Sequence, residues 1–340
     1  MAKEIHIILV IDVQLERRMS IKVGIIGYKN QAEKLQHILE REKCEIKKIY
    51  HPTKSSTDIR FTNNFSDLYE NDIVIIASPN DTHFKYIKKL LKNFSGYIFC
   101  EKPPITNIKE LRYLQKISKK YKNRLFFNFN LRFGELNKKI QHELKSERIG
   151  NPIFINIISS KGLAFKDEYL NSWRSDGKNN LHNILDAVSI HFIDLLRFNF
   201  GEIENHHYTP MLGSKRGSSF DSAQIILKFK TGLTASIFNS YATPLYNEFS
   251  VIGTNGIITF DDKKLKILSP RDTFDSKKYF KIPPIKYSQK FSFNKEFFQS
   301  TENSIKYFLK YVKSKKPIDV IFFDISMSSN EIILNLKKQK

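Results

Sequence analysis

A continuous apolar stretch in the first third of the chain constrains the fold more than any other feature. Residues 73–77 read IVIIA and contain no polar residue to mark a solvent-facing side. A strand with one wet face alternates apolar and polar residues, so this run predicts a strand covered on both faces, as in parallel sheets. Parallel neighbours require crossover connections, and residues 82–92 supply a helix with apolar residues at helical spacing. We therefore expect a parallel α/β sheet.

The next predicted strand, residues 97–100, ends abruptly in Glu101, Lys102 and Pro103. An arbitrary tripeptide of this kind is usually a surface ion pair closed by a proline turn. Open α/β sheets, however, bind their ligands beyond the carboxyl ends of the strands. Because this tripeptide follows a buried strand, downstream of a glycine-containing strand-to-helix turn, we interpret it as part of a functional site.

That glycine turn follows residues 21–26, an apolar strand, and precedes a predicted helix. In the dinucleotide fingerprint G-x-G-x-x-G/A, the first glycine makes the tight turn and the helix N-terminus receives the pyrophosphate. Gly27 and Ala32 fit the first and third positions. Lys29 occupies the second, where glycine normally lets the backbone approach the phosphates. Lys29 either supplies positive charge to the pyrophosphate or marks a site that no longer binds a dinucleotide.

A second strand, residues 44–50, is expected to end where an acidic residue would hold the adenosine ribose. Residues 51–56 read HPTKSS instead, a basic and hydroxyl-rich loop. Such a loop suits a 2′-phosphate, so the sequence leans towards NADP over NAD. A solvated loop without a ligand explains the same residues equally well.

The pattern of elements changes near residue 127. Before it, strands alternate with helices, which predicts a doubly wound Rossmann sheet. After it, strands follow one another as hairpins, which predicts an open, mostly antiparallel sheet in a C-terminal α+β domain. One helix, expected near residues 181–200, interrupts these strands, and two amphipathic helices close the chain. The expected organisation is an extension outside the fold at 1–19, a Rossmann domain at 20–126 and a substrate and oligomerisation domain at 127–340.

The formal net charge of +21 is large enough to attract nucleic acid or anionic lipid. The lysines are scattered, however, and no zinc, helix-turn-helix or stacking-platform motif is present. Composition bias explains the charge more simply, so direct nucleic-acid function is not expected, and a phosphate-bearing small substrate fits better. No stretch approaches the roughly 20 apolar residues that span a bilayer.

The two cysteines, Cys44 and Cys100, have no metal-ligand spacing, and one pair is too few for a secreted disulfide framework. We therefore expect a cytoplasmic protein with no metal site.

Six motifs in order resemble the Gfo/Idh/MocA oxidoreductases, which include glucose-fructose oxidoreductase and inositol dehydrogenases. They are IKVGIIGYKNQA, IIASPNDTHFKYI, CEKPPITNIKEL, FNFNLRF, the pair Trp173-Arg174 and SIHFIDLLRFNFGE. The resemblance implies a Rossmann domain, a C-terminal domain with an open antiparallel sheet, and NAD(P)-dependent oxidation or reduction of a hydroxyl on a sugar, inositol or nucleotide sugar. Family similarity also implies a homodimer or homotetramer.

The resemblance assigns Lys102 to the reacting hydroxyl, where an ammonium can stabilise a developing alkoxide. His191 would be the second acid/base group, because the ordinary pKa of imidazole is near neutrality. Glu101 would orient Lys102 or the nicotinamide ribose. The implied substrate residues are Arg132, Trp173 and Arg174. The implied cofactor residues are Gly27, Lys29, Asn30, Gln31, His51, Ser78, Asn80, His83, Glu101 and Asn130.

One departure concerns the partner of His191. The family usually carries an aspartate four residues before the histidine, where this chain has Ala187, and Asp186 is one residue earlier. On a regular α-helix, five residues turn through about 500°, which would leave Asp186 about 140° away from His191. Asp194 shares the face of His191 and is expected to orient it, to cap a neighbouring group or to lie on the helix surface.

Two other functions remain open. A catalytically idle nucleotide- or sugar-binding protein is suggested by Lys29, His51 and Ala187. A nucleic-acid-associated protein with the same fold rests on the net charge alone.

Overall fold

The computed structural model describes residues 20–53 and 56–339, which divide into two compact units. The first unit comprises the described residues up to Asn128 together with Ile305–Phe323, and the second comprises Phe129–Ser304 and the described residues from Asp324 onwards. The extension expected at residues 1–19 lies outside the described residues.

The first unit contains a six-stranded sheet in which every strand pairing is parallel, as predicted. Its spatial order is β3-β2-β1-β4-β5-β6, the order of a Rossmann sheet. All four residues of β4 are buried, which agrees with a strand covered on both faces. The strands are β1 (Lys22–Ile26), β2 (Glu45–Tyr50), β3 (Phe61–Thr62), β4 (Ile73–Ile76), β5 (Tyr97–Cys100) and β6 (Leu125–Phe127).

Helices follow β1, β4 and β5 along the chain, and the three longer ones each carry apolar residues on a buried face. The helix predicted at residues 82–92 is present, but it begins at His83, after a short 3₁₀ turn at Asn80–Thr82. The helices are α1 (Asn30–Arg41), α2 (His83–Asn93), α3 (Ile108–Lys116) and the single-turn α4 (Lys119–Lys122).

A segment near the C-terminus also belongs to the first unit. Residues 305–323 lie within the range 127–340 expected for the second domain, but the structure groups them with the first unit. The reason is aromatic packing: the ring of Phe308 lies 5.3 Å from that of Phe99 and 5.6 Å from that of Phe126, and all three are buried. These rings complete the core behind β5 and β6, which no local sequence pattern reveals.

The second unit contains an eight-stranded sheet in the order β14-β13-β12-β11-β7-β10-β9-β8. All of its pairings are antiparallel except that of β7 with β10. The prediction of a mostly antiparallel sheet is confirmed. The strands are β7 (Pro152–Ser160), β8 (Ile203–Met211), β9 (Ser222–Phe229), β10 (Thr234–Ser240), β11 (Tyr246–Gly253), β12 (Ile257–Asp261), β13 (Lys264–Leu268) and β14 (Ile285–Lys290).

The helix expected near residues 181–200 is shorter and has two parts. A π-helical turn at Leu185–Ser189 leads into α6 (Ile190–Phe200), which ends at Gly201. It is preceded by α5 (Glu135–Lys145), and the chain closes with α7 (Phe293–Ser314) and α8 (Val320–Leu336). The unit boundaries at residues 304/305 and 323/324 fall within α7 and α8.

A buried carboxylate caps α5. Glu296 accepts hydrogen bonds from the backbone N–H of Glu135 at 3.1 Å and of Leu136 at 3.0 Å. The N-cap residue itself is Gly134, which has no side-chain acceptor, so a distant part of the chain satisfies these donors. Burial raises the pKa of Glu296 to about 7, although the two N–H groups act in the opposite direction.

Gly134→Ala should destabilise the fold. An added Cβ would lie 1.8 Å from Oε1 of Glu296, so the carboxylate must move and leave backbone N–H groups of α5 unsatisfied. A loss of about 1–3 kcal/mol is expected, measured by urea unfolding. Gly162→Ala is the matched control, because its Cβ would have Thr243 O at 3.8 Å as its nearest neighbour. Equal stability of the two variants would contradict the capping role.

Glu296 should contribute a stabilisation that decreases as the pH rises from about 5 to about 8. The pKa of Glu296 is about 7 in the folded state against an ordinary value of 4.5, so the folded state binds more protons between these values. This contribution is on the order of 3 kcal/mol and is lost at high pH. Glu296→Gln should flatten the dependence, measured as unfolding free energies at both pH values. Glu204→Gln, at an exposed position, is the control and should keep the wild-type dependence of the unfolding free energy on pH. If this variant flattened the dependence as well, Glu296 would not be its source.

Candidate functional site

The turn after β1 has the geometry of a nucleotide-binding turn. Gly27 has φ +85°, and a Cβ there would lie 2.8 Å from Cα of Ser78, so both the backbone and the available space require glycine. The following helix α1 has Lys29 at its N-cap, without a side-chain cap for the first N–H groups. A helix N-terminus of this kind binds anions, and the exposed Lys29 adds a cation beside it. These residues fit a dinucleotide pyrophosphate.

Glu101 links three segments at the carboxyl edge of the first sheet. Its buried Oε1 accepts hydrogen bonds from Nε2 of Gln31 at 2.9 Å and from Nδ2 of Asn128 at 2.8 Å. Gln31, expected to contact the cofactor, therefore uses its amide to hold Glu101. Asn128 was missed in the sequence analysis. The available signal was its position, because it follows β6 directly, as Glu101 follows β5.

His83 joins the loops after β4 and β5. It is fully buried, with Nε2 2.8 Å from the carbonyl oxygen of Ser78 and Nδ1 2.8 Å from that of Pro103. Carbonyls only accept, so a neutral imidazole donates to one of the two and a protonated one to both. Burial lowers the pKa of His83, and the two carbonyls oppose that shift. These two contacts give His83, which was expected near the cofactor, a packing role between the two loops. Lys102, between Glu101 and Pro103, is partly exposed.

The remaining residues expected near the cofactor in the first unit follow β1, β2 and β4. Asn30 is exposed at the start of α1, and Asn80 begins the 3₁₀ turn before α2. The hydroxyl of Ser78 is hydrogen bonded to that of Thr82 at 2.7 Å. His51 follows β2, and its Nδ1 accepts from the backbone N–H of Thr53 at 3.3 Å. Lys54 and Ser55, on which the NADP prediction partly rests, lie outside the described residues.

In the second unit, Arg132 is buried against Asp194. Its Nε donates to Oδ2 of Asp194 at 2.7 Å and its Nη2 to Oδ1 at 2.5 Å, and Nη2 also contacts Ser326 Oγ at 3.0 Å. Ser329 donates to the same Asp194 carboxylate at 2.9 Å. The structure thus gives Arg132, expected at the substrate, a core role. Asp194 is buried rather than on the surface, and both of its oxygens accept hydrogen bonds in this cluster.

Asn130, expected near the cofactor, is also buried. Its Nδ2 donates to Ser300 Oγ at 2.7 Å and lies 3.3 Å from the carbonyl oxygen of Phe297. These contacts tie the turn at Asn130–Phe133 to α7 within the second unit.

The π turn changes the relation of Asp186 to His191. The backbone N–H of Ile190 bonds to the carbonyl of Leu185, an i→i+5 bond. Such a bond brings residues five apart near the same side of the helix. In the regular α-helix that was expected, they would lie on different sides. Asp186 is therefore brought towards the side that carries His191. Its Oδ2 accepts hydrogen bonds from Asn180 Nδ2 at 2.6 Å and from Lys337 Nζ at 2.5 Å.

His191 and the pair Trp173-Arg174 complete the predicted residues of the second unit. The imidazole of His191 is partly exposed and meets the ring of Phe297 edge-on, with centroids 5.8 Å apart. Trp173 is 47% exposed, and the guanidinium of Arg174 lies 4.5 Å from its ring centroid. Two neighbours, Lys161 and Tyr241, were missed because their proximity depends on strand pairing.

Within residues 20–53 and 56–339, no group of three or more histidine, cysteine, aspartate or glutamate side chains is arranged to hold a metal ion. In the same residues no helix is both long enough and apolar enough to cross a membrane.

Comparison with known proteins finds two family models that match successive parts of the chain. A family model described as an oxidoreductase family with an NAD-binding Rossmann fold matches residues 21–129, and one for the GFO/IDH/MocA C-terminal domain matches residues 137–259.

Similar curated proteins include an inositol 2-dehydrogenase of Rhizobium meliloti, 28% identical over 57% of this chain and 58% of that protein. A myo-inositol 2-dehydrogenase of Thermotoga maritima is 26% identical over 72% of this chain and 71% of that protein. The match to the rhizobial protein therefore spans less than two thirds of its length.

A solved oxidoreductase from Agrobacterium radiobacter, in complex with NAD+, L-tartaric acid and magnesium, shares the fold. It has a TM-score of 0.73 and 17% identity, over 91% of this chain and 93% of that one.

Removing either member of the Arg132–Asp194 pair should destabilise the protein by about 3–5 kcal/mol, because the other charge stays buried without its partner. Arg132→Ala and Asp194→Ala should both lower the urea midpoint, and the double variant should lose less than the sum. Lys228→Ala, in the exposed pair with Glu204, is the control and should change little. A stable Arg132→Ala variant with only a raised KM would instead place Arg132 at the substrate.

Proposed function

The chain belongs to the GFO/IDH/MocA oxidoreductase family, and we propose that it transfers a hydride between a nicotinamide cofactor and a hydroxyl-bearing carbon of a sugar, inositol or nucleotide sugar. The observation that carries this proposal is the Gly27 turn, with its uncapped helix N-terminus, on the same sheet edge as Glu101 and Lys102. An inositol or sugar alcohol carries the CH–OH group on which the similar curated proteins are named to act.

The cofactor is proposed to be NAD or NADP, with NADP favoured. A bound nicotinamide supplies the hydride acceptor or donor. The N-terminus of α1 and Lys29 would hold the pyrophosphate, and Gly27 keeps the turn clear of a side chain. The segment 51–56 contains no acidic residue and begins with His51, which favours a 2′-phosphate over a bare ribose.

Lys102 and His191 are the proposed acid/base groups. We propose that Lys102 binds the reacting oxygen. As a neutral amine it takes the hydroxyl proton while the hydride leaves for the oxidised cofactor, and as an ammonium it stabilises and protonates the alkoxide that forms when a carbonyl accepts a hydride from the reduced cofactor. Glu101, fixed by two amide donors, holds the backbone from which Lys102 projects. His191 serves as the second proton carrier, and the π turn offers Asp186 as its positioning partner in place of Ala187.

Lys102→Ala and His191→Ala should each lower kcat by about 100-fold or more, the usual contribution of a positioned acid or base. Both variants should still unfold cooperatively and quench or shift NAD(P)H fluorescence on binding. Lys109→Ala, an exposed lysine of α3, is the control and should keep full turnover.

Two results would contradict the proposal. Wild-type protein that binds NAD(P)H but turns over no member of a broad polyol and nucleotide-sugar panel would identify a catalytically idle binding protein, as Lys29 and Ala187 suggest. Wild-type protein that leaves NAD(P)H fluorescence and its own melting temperature unchanged would refute cofactor binding itself.

A further inference from the structure

The parallel strands β7 and β10 bring two chain segments out of the second sheet side by side. Their last residues, Ser160 and Ser240, are direct partners in the register. The next residues, Lys161 and Tyr241, therefore leave the sheet together. The backbone N–H of Lys161 donates to Ser240 O at 2.9 Å, and that of Ala164 donates to Tyr241 O at 2.9 Å, which fixes both segments.

Two cations converge on Tyr241. The ammonium of Lys161 lies 5.8 Å from the centroid of the Tyr241 ring, and Arg174 is hydrogen bonded to the Tyr241 side chain, which is 2% exposed. Much of the Lys161 side chain is exposed, while Arg174 is half-buried over Trp173. Desolvation by the surrounding protein, followed by the charge of Arg174, lowers the pKa of Lys161. The two positive charges are therefore close enough to repel each other.

Neither cation, Lys161 or Arg174, has a carboxylate partner among the described residues. The nearby Asp221 accepts from the backbone N–H of Gly213 and Ser214, both at 2.9 Å, and from Ser222 Oγ at 2.8 Å. The other neighbouring acid, Asp176, is bonded to the Asn179 side chain and to backbone N–H groups of its own turn. Two adjacent cations without a directly paired carboxylate raise the free energy of the folded state, and a bound anion would lower it.

The π turn packs at this same end of β10. Ser189, in the π turn, donates to Oδ1 of Asn239 at 2.7 Å, and both side chains are buried. Asn239 is two residues before Tyr241, and Ser189 is two residues before His191. Lys161 and Arg174 thus lie near the end of β10, and the π turn that precedes His191 is hydrogen bonded to the same strand end.

We propose that Lys161 and Arg174 bind an anionic group, a carboxylate or a phosphate, on the substrate. This inference rests on the proposed function and names the substrate class: an acidic sugar, a sugar phosphate or a nucleotide sugar rather than a neutral polyol. The guanidinium of Arg174 can donate two parallel hydrogen bonds to either group, and Lys161 supplies a compact charge beside it. The exposed ring of Trp173 offers an apolar surface to the rest of the ligand.

The test compares wild type with Arg174→Gln, Lys161→Gln and the control Lys166→Gln, an exposed lysine on the same loop. Binding to the NADPH-saturated protein is measured by calorimetry for glucose, glucuronate, glucose 6-phosphate and UDP-glucose. Wild type should bind at least one anionic probe at least about ten-fold more tightly than glucose. Each of the Arg174 and Lys161 variants should weaken that binding by about 10- to 100-fold, as for a lost charged hydrogen bond.

The pattern across the probes separates the possible anions. If only glucuronate binds tightly, the site recognises a carboxylate. If glucose 6-phosphate and UDP-glucose both bind tightly, it recognises a phosphate. If only UDP-glucose binds tightly, it recognises a diphosphate. Lys166→Gln should match wild type, and added KCl should weaken only the binding of the anionic probes.

Equal affinity for glucose and all three anions, or a loss as large in Lys166→Gln as in Arg174→Gln, would overturn the inference. NADPH titration of the same samples separates the two proposals. NADPH binding without selective anion binding refutes the anion site alone. Arg174-dependent anion binding without any nicotinamide binding refutes the proposed function instead.

Discussion

The carboxylate of Glu101 is the interaction on which the polar edge of the Rossmann unit depends. In a parallel sheet, the loops that follow the carboxyl ends of the strands lie beyond the strand-to-strand hydrogen bonds. The polar groups of these loops therefore need other partners. One oxygen of Glu101 accepts amide hydrogen bonds from Gln31 and Asn128, and so joins the segments after β1, β5 and β6. His83 joins the loops after β4 and β5 through two carbonyl oxygens. Lys102 therefore projects from a backbone that is held on both sides, which suits the role proposed for it.

The second unit contains buried, paired cations as well as cations without a carboxylate partner among the described residues. Arg132 has a rigid bidentate partner in Asp194 and two serines nearby, so its cation is fully engaged in the core. Arg174 and Lys161 have no such partner among the described residues and remain accessible. Residue type alone did not distinguish these arginines. Burial and the presence of a facing carboxylate decide which one stabilises the fold and which one is available to a ligand.

Local patterns predicted the features that neighbouring residues determine. The uninterrupted IVII run predicted the buried strand β4. The succession of strand, glycine and helix predicted the Gly27 turn, and the series of hairpins predicted the antiparallel sheet. Features set by contacts between distant residues were not predictable in this way. The pairing of Arg132 with Asp194, the parallel register that aligns Lys161 with Tyr241, and the packing of Phe308 behind β5 all depend on the completed fold.

The wide turn at Leu185–Ser189 shows how a helix can accommodate a change in chain length. An additional residue in a regular helix rotates everything that follows by roughly 100°, so every later side chain would leave its packing position. Here the wider winding is confined to one turn, and α6 continues from it as a regular helix with a buried face. Aligning such chains by spacing alone would therefore miss an equivalence that the backbone preserves. Insertions of this kind let a lineage vary the length of a helix while the residues on either side keep their place.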